Sequence, residues 1–174
     1  MITNYFIKRK IRSLAIQSPH RPHHSISWDK AHSILIFYTI KDHESIKKIL
    51  NDLRREKKEV HTCVYVPTKD TLPSSTDKRT ILILEKKDVN IWGFPSKNTK
   101  AKLKAIQADI LIDLSHPDCL ALQYAALLHA CTFKVGINYT GQAWYDLGLS
   151  LTDKKDISYL FEQILYYLRS IRSK

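Results

Sequence analysis

Runs of apolar residues alternate along the chain with segments in which apolar residues recur at helical spacing. The run Ser33–Ile40 is almost continuously apolar and rich in β-branched and aromatic residues, which is typical of a strand buried on both faces of a parallel sheet. Comparable runs predict further strands at Val60–Val66, Thr80–Glu85, Asp109–Leu114 and Phe133–Ile137, and permit short strands at Val89–Trp92 and Leu147–Leu151.

The segments between these strands have the apolar spacing of helices. Helices are predicted at His43–Lys58, Lys97–Gln107, Pro117–Cys131 and Lys154–Ile171. Strands that alternate with helices form βαβ units, so the predicted fold is a three-layer α/β/α domain of Rossmann-like type with a mostly parallel, five- or six-stranded sheet. Pro117–Cys131 is apolar almost all round, which indicates a helix packed into the core.

A basic helix and a linker are predicted before the α/β domain. Residues 1–17 have a loose apolar stripe, whereas residues 18–32 contain two prolines and four histidines without periodicity. We therefore expect a basic N-terminal helix and a His/Pro-rich linker over residues 1–32, and the Rossmann-like domain over residues 33–174. The histidine spacing matches no standard zinc set, so no metal site is predicted.

The composition favours a cytoplasmic protein with one core. With 174 residues, 44% of them apolar, the chain can bury a core without a disulfide or a metal. No run reaches the ~20 apolar residues of a membrane span, and residues 1–18 lack the apolar region of a signal peptide. Cys63, Cys119 and Cys131 contain no C-x-x-C pair and are expected to be buried thiols in a reducing compartment. The oligomeric state stays open.

The net charge of +11 is concentrated in two short segments. Residues 1–30 hold six basic groups against one acid, and residues 96–108 hold four lysines and no acid. Localised positive charge attracts phosphate-rich partners, although a solvated lysine surface is the alternative. Three lysines of the second segment share one helix face by their i, i+3, i+7 spacing. The candidate anion-binding residues are Lys97, Lys100 and Lys104 together with Lys8, Arg9, Lys10 and Arg12.

Nucleotide-cofactor motifs are absent from the sequence. A dinucleotide fingerprint, G-x-G-x-x-G, lets the backbone approach a pyrophosphate at a helix N-terminus, and a P-loop needs G-x-x-x-x-G-K-[ST]. Neither pattern occurs among the four glycines of this chain. The sequence therefore predicts no cofactor and argues against NAD or FAD binding and against a P-loop NTPase.

Three loops are expected to meet at a ligand cleft. Open α/β sheets bind ligands beyond the carboxyl ends of their strands, where the strand order reverses. For the order 3-2-1-4-5 these loops are Thr39–Asp42, Ser115–Asp118 and Asn138–Trp144. Aromatic and amide side chains in the third loop suit stacking and hydrogen bonding to a ligand ring, or equally a loop that covers the sheet edge. The candidate cleft residues are Lys41, Ser115, His116, Asn138 and Trp144.

The second of these loops has two interpretations. His116 with Cys119 or Asp118 suggests a nucleophile and its base. Ser115 followed three residues later by Asp118, with Pro117 between them, also resembles the N-terminal cap of a helix. The cap explains the same residues without any chemistry.

Four segments carry a family resemblance: Lys87–Gly93, Asp109–Leu114, Phe133–Ile137 and Tyr145–Leu147. Through them the chain resembles, over about residues 30–170, a family of short Bacteroidota proteins of unknown function. That resemblance implies a cytoplasmic context and no particular activity. The stretch from Asp109 to Gly136 is also similar to the N-terminal half of heptosyltransferase-type glycosyltransferases. This second likeness implies the fold alone, because the domain that holds the nucleotide-sugar in those enzymes has no counterpart here.

These observations lead to three functional hypotheses. The first is a non-enzymatic, cytoplasmic binding or adaptor domain that engages an anionic partner, RNA or a ribonucleoprotein surface first, through the basic residues. The second is a small-molecule-binding protein or an enzyme that uses the predicted cleft. The third is peripheral association of residues 1–17 with an anionic membrane surface.

Overall fold

The computed structural model of the chain describes residues 3–17, 26–70, 77–138, 144–150 and 156–171. His20, His23 and His24 of the predicted linker and residues 139–143 of the third cleft loop lie outside these ranges. The strands are β1 (Ser33–Thr39), β2 (Glu59–Val66), β3 (Thr80–Leu84), β4 (Ile110–Asp113), β5 (Phe133–Asn138) and β6 (Leu147–Ser150). The helices are α1 (Thr3–Gln17), α2 (His43–Arg55), α3 (Glu85–Asp88), α4 (Lys97–Ala105), α5 (Leu120–Leu128) and α6 (Ile157–Ser170).

Within the described ranges, six strands form one open sheet in the order β3-β2-β1-β4-β5-β6, and every pairing between these neighbours is parallel. This arrangement confirms the Rossmann-like prediction and the sixth strand. The strand order reverses between β1 and β4, as expected for a doubly wound sheet.

Helices cover both faces of the sheet. Ile34 and Ile36 of β1 point to the face covered by α2 and α6, and Leu35 and Phe37 point to the face covered by α4 and α5. The alternation follows from the period of two along a strand. Since both sets of side chains are buried, the sequence of β1 is apolar without interruption.

α5 is apolar all round because it is covered on two sides. Its inner face, including Leu122 and Ala126, packs on the sheet, and its outer residues Tyr124 and Leu127 pack against α1. The helix α1 is thus a further layer outside α5. Its residues Ile7 and Ile11 are fully buried there.

The segment Val89–Trp92 is a turn, so the prediction of a strand there is wrong. Val89 forms one isolated antiparallel bridge with Pro95, and Asn90 Oδ1 accepts hydrogen bonds from the backbone of Trp92 and Phe94 at 3.0 Å. Gly93 has φ +86°, a conformation that other residues rarely adopt, and lies against Ile7 of α1. This segment therefore contacts α1 or lies at the surface, and it does not pair with the sheet.

Candidate functional site

A cleft of about 310 Å³ lies at the carboxyl ends of β4 and β5, beside α1. The cleft brings together two groups of residues that are far apart in the chain and were predicted as separate sites. These are the basic N-terminal residues and the residues of the cleft loops. Its lining residues are Lys8, Ile11, Arg12, Ser115, Pro117, Asp118, Leu120, Gln123, Ile137, Asn138, Trp144 and Tyr145. Lys8 and Arg12 are one helical turn apart, so α1 presents both on the same side.

The floor of the cleft is built around Asp113, the last residue of β4. Its side chain is buried, and its two oxygens accept hydrogen bonds from the Ser115 backbone at 2.9 Å and from the Tyr145 hydroxyl at 2.6 Å. Burial raises the pKa of the Asp113 carboxyl above its ordinary value, and the nearby Ser115 side chain and the hydrogen bond from Tyr145 oppose that rise.

Tyr145 reaches Asp113 because the neighbouring position of β5 is a glycine. Gly136 pairs with Asp113 in the sheet, and a Cβ atom on it would lie 2.5 Å from the Tyr145 ring. A second glycine has the same role in β6, where the absence of a side chain at Gly148 leaves room for the Asn138 amide. Neither pair could be predicted from the sequence, because contacts between different strands leave no local pattern and only the rarity of glycine in this chain marks these positions.

Ser115 lines the cleft and is not a helix cap, so the capping interpretation is wrong. Its hydroxyl is buried and forms no hydrogen bond with the described residues. α5 begins five residues later, at Leu120, after Cys119, whose side chain makes no capping bond. Asn138 Oδ1 is a second buried polar atom in the cleft without a described hydrogen-bond partner.

His116 and Cys119 do not form a nucleophile–base pair in this structure. His116 is exposed, is not among the cleft-lining residues, and lies 3.3 Å from the Asp118 carboxylate through Nδ1. Cys119 is buried, and burial raises the pKa of its thiol to about 12. The thiol is therefore protonated near neutral pH, which opposes nucleophilic attack.

Lys41 is also outside the cleft. It lies in a turn after β1, Ile40–Asp42, in which the Thr39 hydroxyl donates to Asp42 at 2.6 Å. Two of the three predicted loops thus meet in the cleft, and α1 takes the place of the first.

A second, open groove of about 650 Å³ lies on the other side of α1. It brings Arg9 and Lys10 of α1 together with Lys100 of α4, three cations that the sequence assigned to separate segments. We call this the basic groove. Its lining residues are Phe6, Arg9, Lys10, Ser13, Asn90, Phe94, Lys100 and Tyr124.

Exposed aromatic side chains border the basic groove. Phe6 contacts Trp92 edge to face, with ring centroids 4.8 Å apart, and Tyr5 packs against Phe6 at 5.7 Å. Phe6 and Trp92 remain 44% and 41% exposed, which is unusual for such large apolar rings and suits contact with a partner. This cluster could not be predicted from the sequence, because α1 and the turn at Val89–Trp92 are far apart in the chain.

α4 presents the lysine ridge as predicted from its spacing. Thr99 and Leu103 face the interior, whereas Lys97 and Lys104 are exposed and Lys100 is half-buried in the groove. The helix begins after Ser96, whose hydroxyl accepts a hydrogen bond from the Thr99 backbone at 3.1 Å.

The structure does not favour the membrane-surface hypothesis. The apolar residues Ile7 and Ile11 of α1, which would enter a membrane surface, are covered by α5. In the described ranges, no helix has the length and apolar character needed to cross a bilayer. Among the same residues, no group of three or more metal-ligating side chains comes together.

Comparison with known protein families gives a match over nearly the whole chain. A protein-family model described as "Family of unknown function (DUF6913)" matches residues 4–171, a range that includes α1. Neither the curated proteins nor the solved structures contain a match. The resemblance to a family of unknown function is confirmed, while the Bacteroidota origin and the glycosyltransferase likeness stay predictions.

Proposed function

We propose that this chain, which belongs to the Family of unknown function (DUF6913), binds single-stranded RNA through the basic groove. The observation that carries the proposal is the convergence of Arg9, Lys10 and Lys100 beside the exposed rings of Phe6 and Trp92. Proteins that bind single strands combine a positively charged groove for the backbone with aromatic side chains on which bases stack.

The charge distribution supports a macromolecular anion at this groove. Lys97 and Lys104 extend the positive surface along α4 on either side of Lys100. A single strand that follows α4 would therefore meet cations at successive phosphates and find Trp92 and Phe6 at the end of the groove. Double-stranded RNA keeps its bases stacked inside, so it gains nothing from the aromatic rings. We expect a cytoplasmic binding domain rather than a catalyst at this face.

The test measures fluorescence anisotropy of a labelled, mixed-sequence single-stranded RNA between about 50 and 200 mM salt. The variant Arg9→Gln/Lys100→Gln removes two groove cations. Each lost phosphate contact should lower the slope of log affinity against log salt by about 0.7, so the expected decrease is about 1.4. Trp92→Ala should weaken binding about tenfold without changing the slope.

The matched control is Lys47→Gln/Lys48→Gln, which makes the same charge change on α2. These lysines are exposed on the opposite face of the sheet, and their removal should leave the slope nearly unchanged. Equal losses in both double variants would show that only net charge matters. That result, or a duplex of the same sequence binding as tightly as the single strand, would refute the proposal.

A further inference from the structure

We propose that the cleft beside α1 binds the phosphate group of a small phosphorylated molecule. This site is separate from the basic groove, since the two lie on opposite sides of α1 and share none of their lining residues.

The cleft carries two cations that are paired with no described acid. Lys8 and Arg12 are both exposed at the cleft, and neither forms an ion pair with another described residue. Asp118, the acidic residue among the described lining residues, is 91% exposed, and its carboxylate lies 3.3 Å from His116 Nδ1. Arginine and lysine on one helix face bind phosphate oxygens through charge-assisted hydrogen bonds.

The cleft also contains a buried donor that lacks an acceptor. The Ser115 hydroxyl belongs to a residue only 4% exposed and forms no hydrogen bond with the described residues. A buried hydroxyl without a partner costs free energy, and such groups in folded proteins normally have a partner. A phosphate oxygen held by Arg12 would accept this hydrogen bond.

The carboxylate beneath Ser115 has hydrogen bonds of its own, although the Ser115 side chain lies near enough to lower the pKa of Asp113. Both Asp113 oxygens already accept hydrogen bonds, one from the Ser115 backbone and one from Tyr145. The ligand thus meets the Ser115 hydroxyl and not an unsatisfied carboxylate.

The rest of the cleft fits the organic part of the ligand. A volume of about 310 Å³ is at the lower end of small-molecule sites. Trp144, Ile137 and Leu120 supply apolar wall, and Asn138 Oδ1 is a buried acceptor without a described partner, which a ligand hydroxyl would satisfy. These features favour a phosphorylated molecule of sugar or nucleotide size.

The test is a titration of the full chain with inorganic phosphate, followed by amide and indole signals in ¹H–¹⁵N NMR at constant ionic strength. We expect saturable shifts at Ser115 and at the Trp144 indole. Arg12→Gln should weaken this binding roughly tenfold, because it removes a charged hydrogen-bond donor. A parallel titration compares ribose 5-phosphate with ribose. Tighter binding of the sugar phosphate than of ribose or of inorganic phosphate supports a small phosphorylated ligand, whereas equal binding of the sugar phosphate and inorganic phosphate overturns it in favour of free phosphate.

Arg9→Gln is the matched control, since it removes one cation from the opposite side of the same helix. It should leave phosphate binding unchanged and weaken RNA binding, whereas Arg12→Gln should do the reverse. Absence of saturable shifts at Ser115, or equal weakening in the two variants, would overturn the phosphate site. Neither result decides whether the basic groove binds RNA, because the anisotropy experiment tests that proposal independently.

Discussion

The hydrogen bond between Tyr145 and Asp113 allows a sharp test of how the cleft floor is built. The perturbation is Tyr145→Phe, which removes one hydroxyl and leaves the ring over Gly136. Tyr145 is 9% exposed and Asp113 is 2% exposed, so water does not replace the lost bond. A buried hydrogen bond of 2.6 Å to a carboxylate contributes about 2 kcal/mol to the free energy of unfolding.

The loss should depend on pH. Because burial raises the pKa of Asp113 above its ordinary value of 3.8, the folded state binds the proton more tightly than the unfolded state. This group's contribution to the free energy of unfolding therefore falls as pH rises from the unfolded pKa through the folded pKa. The Tyr145 hydroxyl favours the charged carboxylate, so Tyr145→Phe raises the pKa of Asp113 further. The loss of unfolding free energy caused by Tyr145→Phe is therefore largest above the folded-state pKa of Asp113, where the carboxylate is charged. As pH falls through this pKa, the loss decreases to about 1 kcal/mol, the value of a neutral hydrogen bond.

Urea unfolding of both chains, in steps from about pH 7.5 to 4.5, measures the difference. In an Asp113→Asn background the same substitution should show no decrease on the acidic side, because the residue no longer titrates. A cost below about 0.5 kcal/mol near neutral pH would refute the reasoning, since surface changes cost as little. A cost that grows towards acidic pH would refute the assignment to Asp113.

Two further predictions concern packing around the two sites. Gly136→Ala should lower the free energy of unfolding by about 1–3 kcal/mol in urea titrations, because its Cβ meets the Tyr145 ring at 2.5 Å; a similar cost in a Tyr145→Ala background would contradict that cause. Ile11→Ala should cost about 2–5 kcal/mol because Ile11 is 2% exposed against α5. Ile16→Ala, at a position 72% exposed on the same helix, is the control, and equal costs would show that α1 does not dock as described.

The sequence was sufficient to predict the sheet because its central strands are buried on both faces. Ser33–Ile40 and Asp109–Leu114 are apolar runs whose pattern admits few alternatives, and the strands begin and end within a residue or two of the expected bounds. α5 was predicted as a core helix from its composition alone. The pattern did not show that α1 covers the outer side of α5.

The site could be predicted only in part, because it depends on contacts between distant segments. Ser115, Asn138 and Trp144 were found from the general position of ligands in α/β sheets, and Lys8 and Arg12 from charge. The loop residues and the basic residues of α1 face the same cleft because α1 packs on α5. No local sequence pattern predicts this packing.

The position of α1 in the chain has a consequence for biosynthesis. Its partner α5 begins about 100 residues after α1 ends. At about 5–20 residues per second, a ribosome completes α5 roughly 5–20 s after α1 has been made. During that interval the apolar side of α1 has no α5 to cover it, and afterwards α5 exposes its outer side until α1 docks. The nascent chain therefore presents a basic amphipathic helix early, and chaperones that recognise such segments have a defined time in which to act.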